Sequence, residues 1–284
     1  MNYRHAYHAG NFGDVLKHAV LALVIEHMKL KPSPLRFIDT HAGIGAYDLG
    51  STASTKTLEW QGGIGRLIGP AASPIPADLA AVLAPYLDVV RSLNPAGRLK
   101  SYPGSPLLAA RLLRRDDVLV LNELHPEDQG TLRATFARDA RVKILCIDAS
   151  LAVKSLLPPK ERRGIVLIDP AYEERDELQQ VARALSAALR RFATGTFLLW
   201  YPIKDLPPIE AFHAEIDQLG IGKCLRADLY TRAPDTPERL NGCGLLVVNP
   251  PWTLGGKLAR LLPFLAGRLK NGPAEGWRLD PPRS

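Results

Sequence analysis

The sequence predicts an α/β sandwich built on a mostly parallel seven-stranded sheet whose last strand runs antiparallel. Three observations predict it. Short apolar runs alternate with segments of helical period, the rhythm of strands joined by crossover helices. Several runs end in an acid, and the first is followed by a small-residue turn, Ala42-Gly43-Ile44-Gly45. The last two runs are joined by a turn at Asn241-Gly242 instead of a helix, so they form a hairpin and the final strand must be antiparallel.

The elements follow in order. Residues 1–13 mix aromatic and basic side chains (Tyr3, Arg4, His5, Tyr7, His8) with no regular period. From Asp14 to about Lys29, a stripe of Leu16, Val20, Leu23 and His27 predicts a helix, with Asp14 complementing its dipole. Pro32 and Pro34 end it, and a strand follows from Leu35 to Asp39. Gly43 and Gly45 let the backbone approach a ligand without a Cβ in the way. The rhythm then stops, and residues 50–96 read as a small helical insertion between core segments 1–49 and 97–284. Within it Pro85 predicts a kink or restart. Strands resume at 118–121, 142–147, 165–168, 196–200, 224–230 and 244–248, with helices at 131–138, 178–192 and 210–219. A closing helix from Leu258 to Leu269 should be interrupted at Pro263, and the proline-rich tail should fray.

Composition narrows the functional classes. The chain has 284 residues, 46% of them apolar, enough for a well-buried core. A net charge of +7 suits a polyanionic partner. Cys146, Cys224 and Cys243 are odd in number and widely spaced, which predicts buried thiols and argues against a disulfide framework or zinc site. The amino terminus lacks the apolar core of a signal peptide, and the run Ala19–Ile25 is too short for a bilayer. A cytoplasmic protein without a membrane partner is the expectation.

Four strands end in an acid: Asp39, Glu123, Asp148 and Asp169. In an open parallel sheet these ends line one crevice, so four carboxylates should converge. Glu123, after the second strand, suits the two hydroxyls of a ribose. Asp148, with the Ala149 N–H beside it, suits an adenine edge. A dinucleotide site is disfavoured, because Asp48 stands where Gly-x-Gly-x-x-Gly needs its third glycine. The fourth strand ends in Asp169-Pro170-Ala171-Tyr172, which resembles the Asp-Pro-Pro-Tyr motif of amino-group methyltransferases. That chemistry needs an acceptor for the amine hydrogens, supplied by the Asp169 carboxylate and Pro170 carbonyl, and a ring on which an extruded base stacks, Tyr172. A competing match, Asn249-Pro250-Pro251-Trp252, follows the antiparallel strand and so should leave at the opposite edge.

The order of elements resembles class I S-adenosylmethionine-dependent methyltransferases, a Rossmann-like fold. The resemblance widens through His5, His8-Ala-Gly-Asn11, Asp14-Val-Leu-Lys-His18, Asp39-Thr-His-Ala-Gly43, Tyr102-Pro-Gly-Ser105, Glu123-Leu-His-Pro126 and Trp200-Tyr-Pro202. These blocks look like bacterial 23S rRNA adenine-N6 methyltransferases of the RlmJ type. The resemblance implies S-adenosylmethionine as cofactor, contacts to it from His18, His41, Ser105, Glu123, Asp148 with Ala149, and Asp169, and Asp169 as catalytic acid. It also implies an RNA contact from Tyr3. The residues add Lys17 beside His18 as a grip on the methionine carboxylate, and Arg4 and His5 beside Tyr3 as basic companions of a stacking aromatic. Direct transfer without a metal is expected, on 23S rRNA that is protein-free or partly assembled, by a monomer. A DNA adenine methyltransferase would use the same crevice. A non-enzymatic nucleic-acid-binding protein linked to DNA uptake or use would gain nothing from converged carboxylates.

Overall fold

A computed structural model describes residues 4–173, 176–234, 236, 238–272 and 276–282. Its strands are β1 (Arg36–Asp39), β2 (Ala46–Asp48), β3 (Ser101–Pro103), β4 (Val118–Asn122), β5 (Val142–Leu145), β6 (Gly164–Ile168), β7 (Thr196–Ile203), β8 (Cys224–Tyr230), β9 (Gly242–Val248) and β10 (Gly276–Asp280). The helices are α1 (Phe12–Met28), α2 (Thr52–Thr57), α3 (Glu59–Gly62), α4 (Gly65–Ile68), α5 (Ala77–Ser92), α6 (Ser105–Leu112), α7 (Pro126–Thr135), α8 (Ala149–Leu156), α9 (Glu177–Arg191), α10 (Leu206–Gln218) and α11 (Leu254–Leu269).

The main sheet has the order β10-β8-β9-β7-β6-β1-β4-β5. Strands β1, β4, β5, β6 and β7 are parallel. Strand β9 is antiparallel to both β7 and β8, as the hairpin requires. The chain fills one side of β1 with β4 and β5, then crosses to β6 on the other. Such a switch point opens a crevice beyond the carboxyl ends of the strands.

Alternate residues of each parallel strand feed two separate cores. Phe37, Leu119, Leu121, Ile165 and Leu167 join α1, α5, α6, α7 and α11 on one face. Ile38, Val120, Val166 and Ile168 join α8, α9 and α10 on the other. This period of two explains why the strands read as continuous apolar runs. Helix α1 is more deeply placed than its predicted stripe implies: every residue from Gly13 to Ile25 is buried, because the helix packs on both the sheet and α5, α6 and α11. Asn11 caps it, accepting from Asp14 N at 3.1 Å.

The differences from expectation have local causes. The main sheet has eight strands, since the tail expected to fray pairs Gly276–Asp280 antiparallel with β8, and Leu279 packs on the core. Pro281 and Pro282 then end it. A small ribbon, β2 with β3, brackets the segment that carries α2 to α5. Helices α5 and α11 run unbroken through Pro85 and Pro263. Each helix has a continuous buried face on both sides of its proline, including Leu83, Tyr86 and Leu87 in one and Leu258, Leu261, Leu262 and Leu265 in the other. That burial outweighs one missing N–H.

Candidate active site

The carboxyl ends of β1, β4 and β5 are knotted together by one side chain. Asn122 donates to Thr40 O at 3.1 Å and Ile147 O at 2.9 Å, and accepts from Ile147 N at 3.1 Å. Glu123 follows, accepting from Gly43 N and His125 N at 2.8 Å each. Both carboxylate oxygens thus hold loops in place and keep lone pairs for a further donor. Gly43 and Gly45 have φ of +60° and +84°, and a Cβ on Gly43 would lie 2.3 Å from the Tyr47 hydroxyl. The glycines are therefore required by backbone conformation and by internal packing, in addition to any approach of a ligand.

Glu123, Asp148, Ala149, Asp169, Lys17, His18, His41, Gly43 and Ser105 all line one cavity of about 230 Å³ beyond the sheet edge. Asp148 caps α8 through Leu151 N at 3.0 Å. The Ser150 hydroxyl and that N–H hold its carboxyl below the usual range. His41 sits against Thr40 Oγ1 at 2.8 Å, and burial lowers its pKa to about 4. Three of the four strand-end acids converge here, and Asp39 does not. Asp39 is fully buried beneath the cavity, accepting from Ser105 Oγ at 2.6 Å and His41 N at 3.2 Å. Burial raises its pKa to about 7.

One face of α1 supplies the link that carries charge. Asp14, Lys17 and His18 are spaced i, i+3 and i+4 and are all buried. The Lys17 ammonium lies 2.8 Å from Asp14 and 2.6 Å from Asp169, joining the first helix to the end of β6. Burial alone would lower the Lys17 pKa, yet Asp14 and Asp169 hold it well above the usual value. Two of its donors are spent on protein carboxylates, so Lys17 anchors Asp169 and is not the free cation expected for a methionine carboxylate. Asp14 also accepts from Gly10 N at 2.8 Å and lies 2.9 Å from His5 Nε2.

Beside this cavity a second lobe shares His5, Lys17, Asp169, Pro170, Ala171 and Glu173 with it. Its floor is aromatic. Tyr172, at φ +54°, donates to Trp200 O at 2.5 Å, and the two rings lie 6.0 Å apart. The competing motif is elsewhere: Asn249 donates to Ala193 O and Gly195 O at 2.8 Å each, in the turn that precedes β7.

Of the expected RNA-binding group, Tyr3 lies outside the described residues. Arg4 is not in either lobe, because its guanidinium pairs with Glu127 and Asp128 in the first turn of α7 at 2.9 Å each. His5 does reach both lobes, its ring 5.1 Å from that of Tyr47. The stretch that showed no regular period forms a short 3₁₀ turn, His5–Tyr7, leading into the α1 cap.

A family model described as ribosomal RNA large subunit methyltransferase D, RlmJ, matches residues 32–280. A Haemophilus influenzae protein named ribosomal RNA large subunit methyltransferase J is 42% identical over 99% of this chain and 98% of its own. The Escherichia coli protein of the same name is 42% identical, covering 95% of this chain and 94% of its own. The chain belongs to the RlmJ family. A crystal structure of a Legionella pneumophila protein, 30% identical, superposes with a TM-score of 0.88 over 97% of this chain and 98% of that one.

This RlmJ-family chain is a methyltransferase, with S-adenosylmethionine as donor, and the first lobe fits that group. Among the described residues His18 Nε2 is buried without a hydrogen-bond partner, while Nδ1 lies 2.8 Å from the Tyr102 hydroxyl. Burial takes the His18 pKa down to about 3, so the ring is neutral. An unpartnered neutral nitrogen, a diol-compatible Glu123 and an adenine-compatible Asp148 are what an adenosyl amino acid needs. Sequence reasoning missed Asp14, His8, Asn11, Glu59 and Trp200. The Asp14–Lys17–His18 spacing was a visible signal for the first of these. His8, Asn11 and Trp200 lay in the resembling blocks without an assigned role, and Glu59 carried no signal that separates it from packing residues.

Proposed function

We propose that the protein transfers a methyl group from S-adenosylmethionine to the N6 amine of one adenine in 23S rRNA. The observation that carries this reading is the pair of lobes meeting at Asp169-Pro170-Ala171. The first lobe suits an adenosyl amino acid, and the second has an aromatic floor for a swung-out base. When bound, S-adenosylmethionine supplies a sulfonium that makes its methyl group electrophilic. Asp169 gives one oxygen to Lys17, leaving the other to accept from the adenine amine and orient its lone pair. Lys17 stays charged and fixes the carboxylate, so it takes no proton. The proton released from the methylated amine passes to Asp169 and on to water. Tyr172, braced by Trp200 O, is the wall against which the base stacks. Positioning supplies most of the rate.

The reading carries a cytoplasmic location, a monomer, and 23S rRNA in a protein-free or partly assembled state. Among the described residues, no helix is long and apolar enough to cross a membrane. Incubation with methyl-labelled S-adenosylmethionine and either unmodified rRNA or duplex DNA, followed by nucleoside mass spectrometry, tests it. N6-methyladenosine at one site in the RNA is expected. Label in the DNA alone would replace the substrate, and no label in either would overturn the reading.

A further inference from the structure

The stretch Ala6–Asn11, part of the wall of the second lobe, is held from outside by the helices of segment 50–96. Ser54 Oγ donates to Ala6 O at 3.0 Å, Thr57 Oγ1 donates to Tyr7 O, and Ile64 N donates to Gly10 O at 2.9 Å. Those contacts fix backbone. Glu59, at the start of α3, reaches side chains instead. Its Oε1 lies 3.0 Å from His8 Nδ1 and its Oε2 accepts from Asn11 Nδ2 at 3.0 Å. His8 and Asn11 both line the second lobe, while Glu59 does not. A carboxylate that grips two lobe residues with separate oxygens sets their orientation at the same time.

The chemistry of those two side chains suits a nucleic-acid backbone. Donating a hydrogen bond to the Glu59 carboxylate raises the His8 pKa, favouring an imidazolium in the lobe wall. Burial would raise the pKa of Glu59 itself, but the bonds from His8 and Asn11 hold it below the usual value. Asn11 spends Oδ1 on the α1 cap and one N–H on Glu59, which leaves its second N–H as a donor. Lys204 lines the same lobe and makes no ion pair among the described residues. Cations around an aromatic floor are how single-stranded RNA is held: bases stack and phosphates meet the charges.

We propose that Glu59 is a positioning residue for the rRNA substrate, orienting His8 and Asn11 as contacts to the backbone beside the target adenine. This rests on the rRNA reading above. The wild-type enzyme is therefore assayed first, and absence of rRNA methylation there would fail that reading and not this one. Glu59→Gln keeps the shape but loses the charge and one acceptor oxygen. The KM for an rRNA fragment should rise about tenfold, with kcat changed less than about threefold and cofactor Kd unchanged. Glu59→Asp should recover part of the loss. His8→Gln should raise KM similarly and flatten the dependence of log KM on log salt by about 0.7, one single-strand phosphate contact. The Glu59→Gln/His8→Gln double variant should be no worse than the poorer single variant. Unchanged KM, parallel loss of RNA and cofactor affinity, or additive effects would overturn the proposal. Should Glu59→Gln fail to fold, the salt slope of His8→Gln decides, and an unchanged slope overturns it.

Discussion

Two tetrapeptides of nearly the same pattern sit at opposite edges of this sheet. Asp169-Pro170-Ala171-Tyr172 follows parallel β6, and Asn249-Pro250-Pro251-Trp252 follows antiparallel β9. Each holds a residue in the left-handed region, Tyr172 at φ +54° and Asn249 at φ +50°. There the likeness ends. The Asp169 carboxylate is reached across 152 residues by Lys17 and opens into both lobes. The Asn249 amide is consumed by two carbonyls of the neighbouring turn. Tyr172 is braced at the floor of a lobe, whereas Trp252 is 87% exposed, its ring 6.5 Å from that of His27. Strand polarity decides which motif meets the crevice, so a motif match gains meaning only with its strand direction.

The comparison can be broken at either edge. The largest effect is expected from Lys17→Met, which leaves buried Asp14 and half-buried Asp169 without their shared cation. Removing one member of a buried ionic cluster costs about 3–5 kcal/mol, read by urea denaturation, and kcat should fall at least about a hundredfold. A cost below about 1 kcal/mol would mean that the bridge is ornamental.

Asp39 sharpens the contrast between carboxylates that open into the cavity and one that does not. Its pKa is raised to about 7 in the fold, chiefly by burial, against about 3.9 in an unfolded chain. Between those values the folded chain keeps a proton that the unfolded chain releases. The contribution of Asp39 to stability is therefore fully present below about pH 4 and lost as pH rises towards 7. Asp39→Asn should flatten that part of the stability profile, and parallel profiles for the two proteins would contradict this account.

At the other edge the effects are smaller and touch stability alone. Asn249→Ala removes two hydrogen bonds and a residue type tolerant of positive φ, at a cost of about 1–3 kcal/mol. Activity per folded molecule should be unchanged, and a loss of kcat would return this motif to consideration as catalytic. Trp252→Ala should stay within about 0.5 kcal/mol of wild type.

Much of this was legible in the sequence. The parallel strands were visible because both faces are buried, giving runs such as Val118-Leu119-Val120-Leu121. The antiparallel end followed from one turn, and Glu123, Asp148 and Asp169 followed from their places after those runs. Asp39 misled because it too ends a strand, and nothing local says that Ser105 closes over it. The Lys17–Asp169 bridge spans 152 residues and depends on how α1 lies across the sheet, which no periodicity encodes. Strand β10 was hidden by its short length and flanking prolines. Pro263 misled in the opposite sense, because a buried face of six leucines overrides one missing donor.

The central claim is that donor and base meet at Asp169. It is tested most directly by Asp169→Asn, assayed for cofactor binding by calorimetry and for methylation by single turnover on an rRNA fragment. Binding within a few-fold of wild type, with the methylation rate reduced by about 10²–10⁴, is the predicted result. Full methylation by the variant would contradict the account.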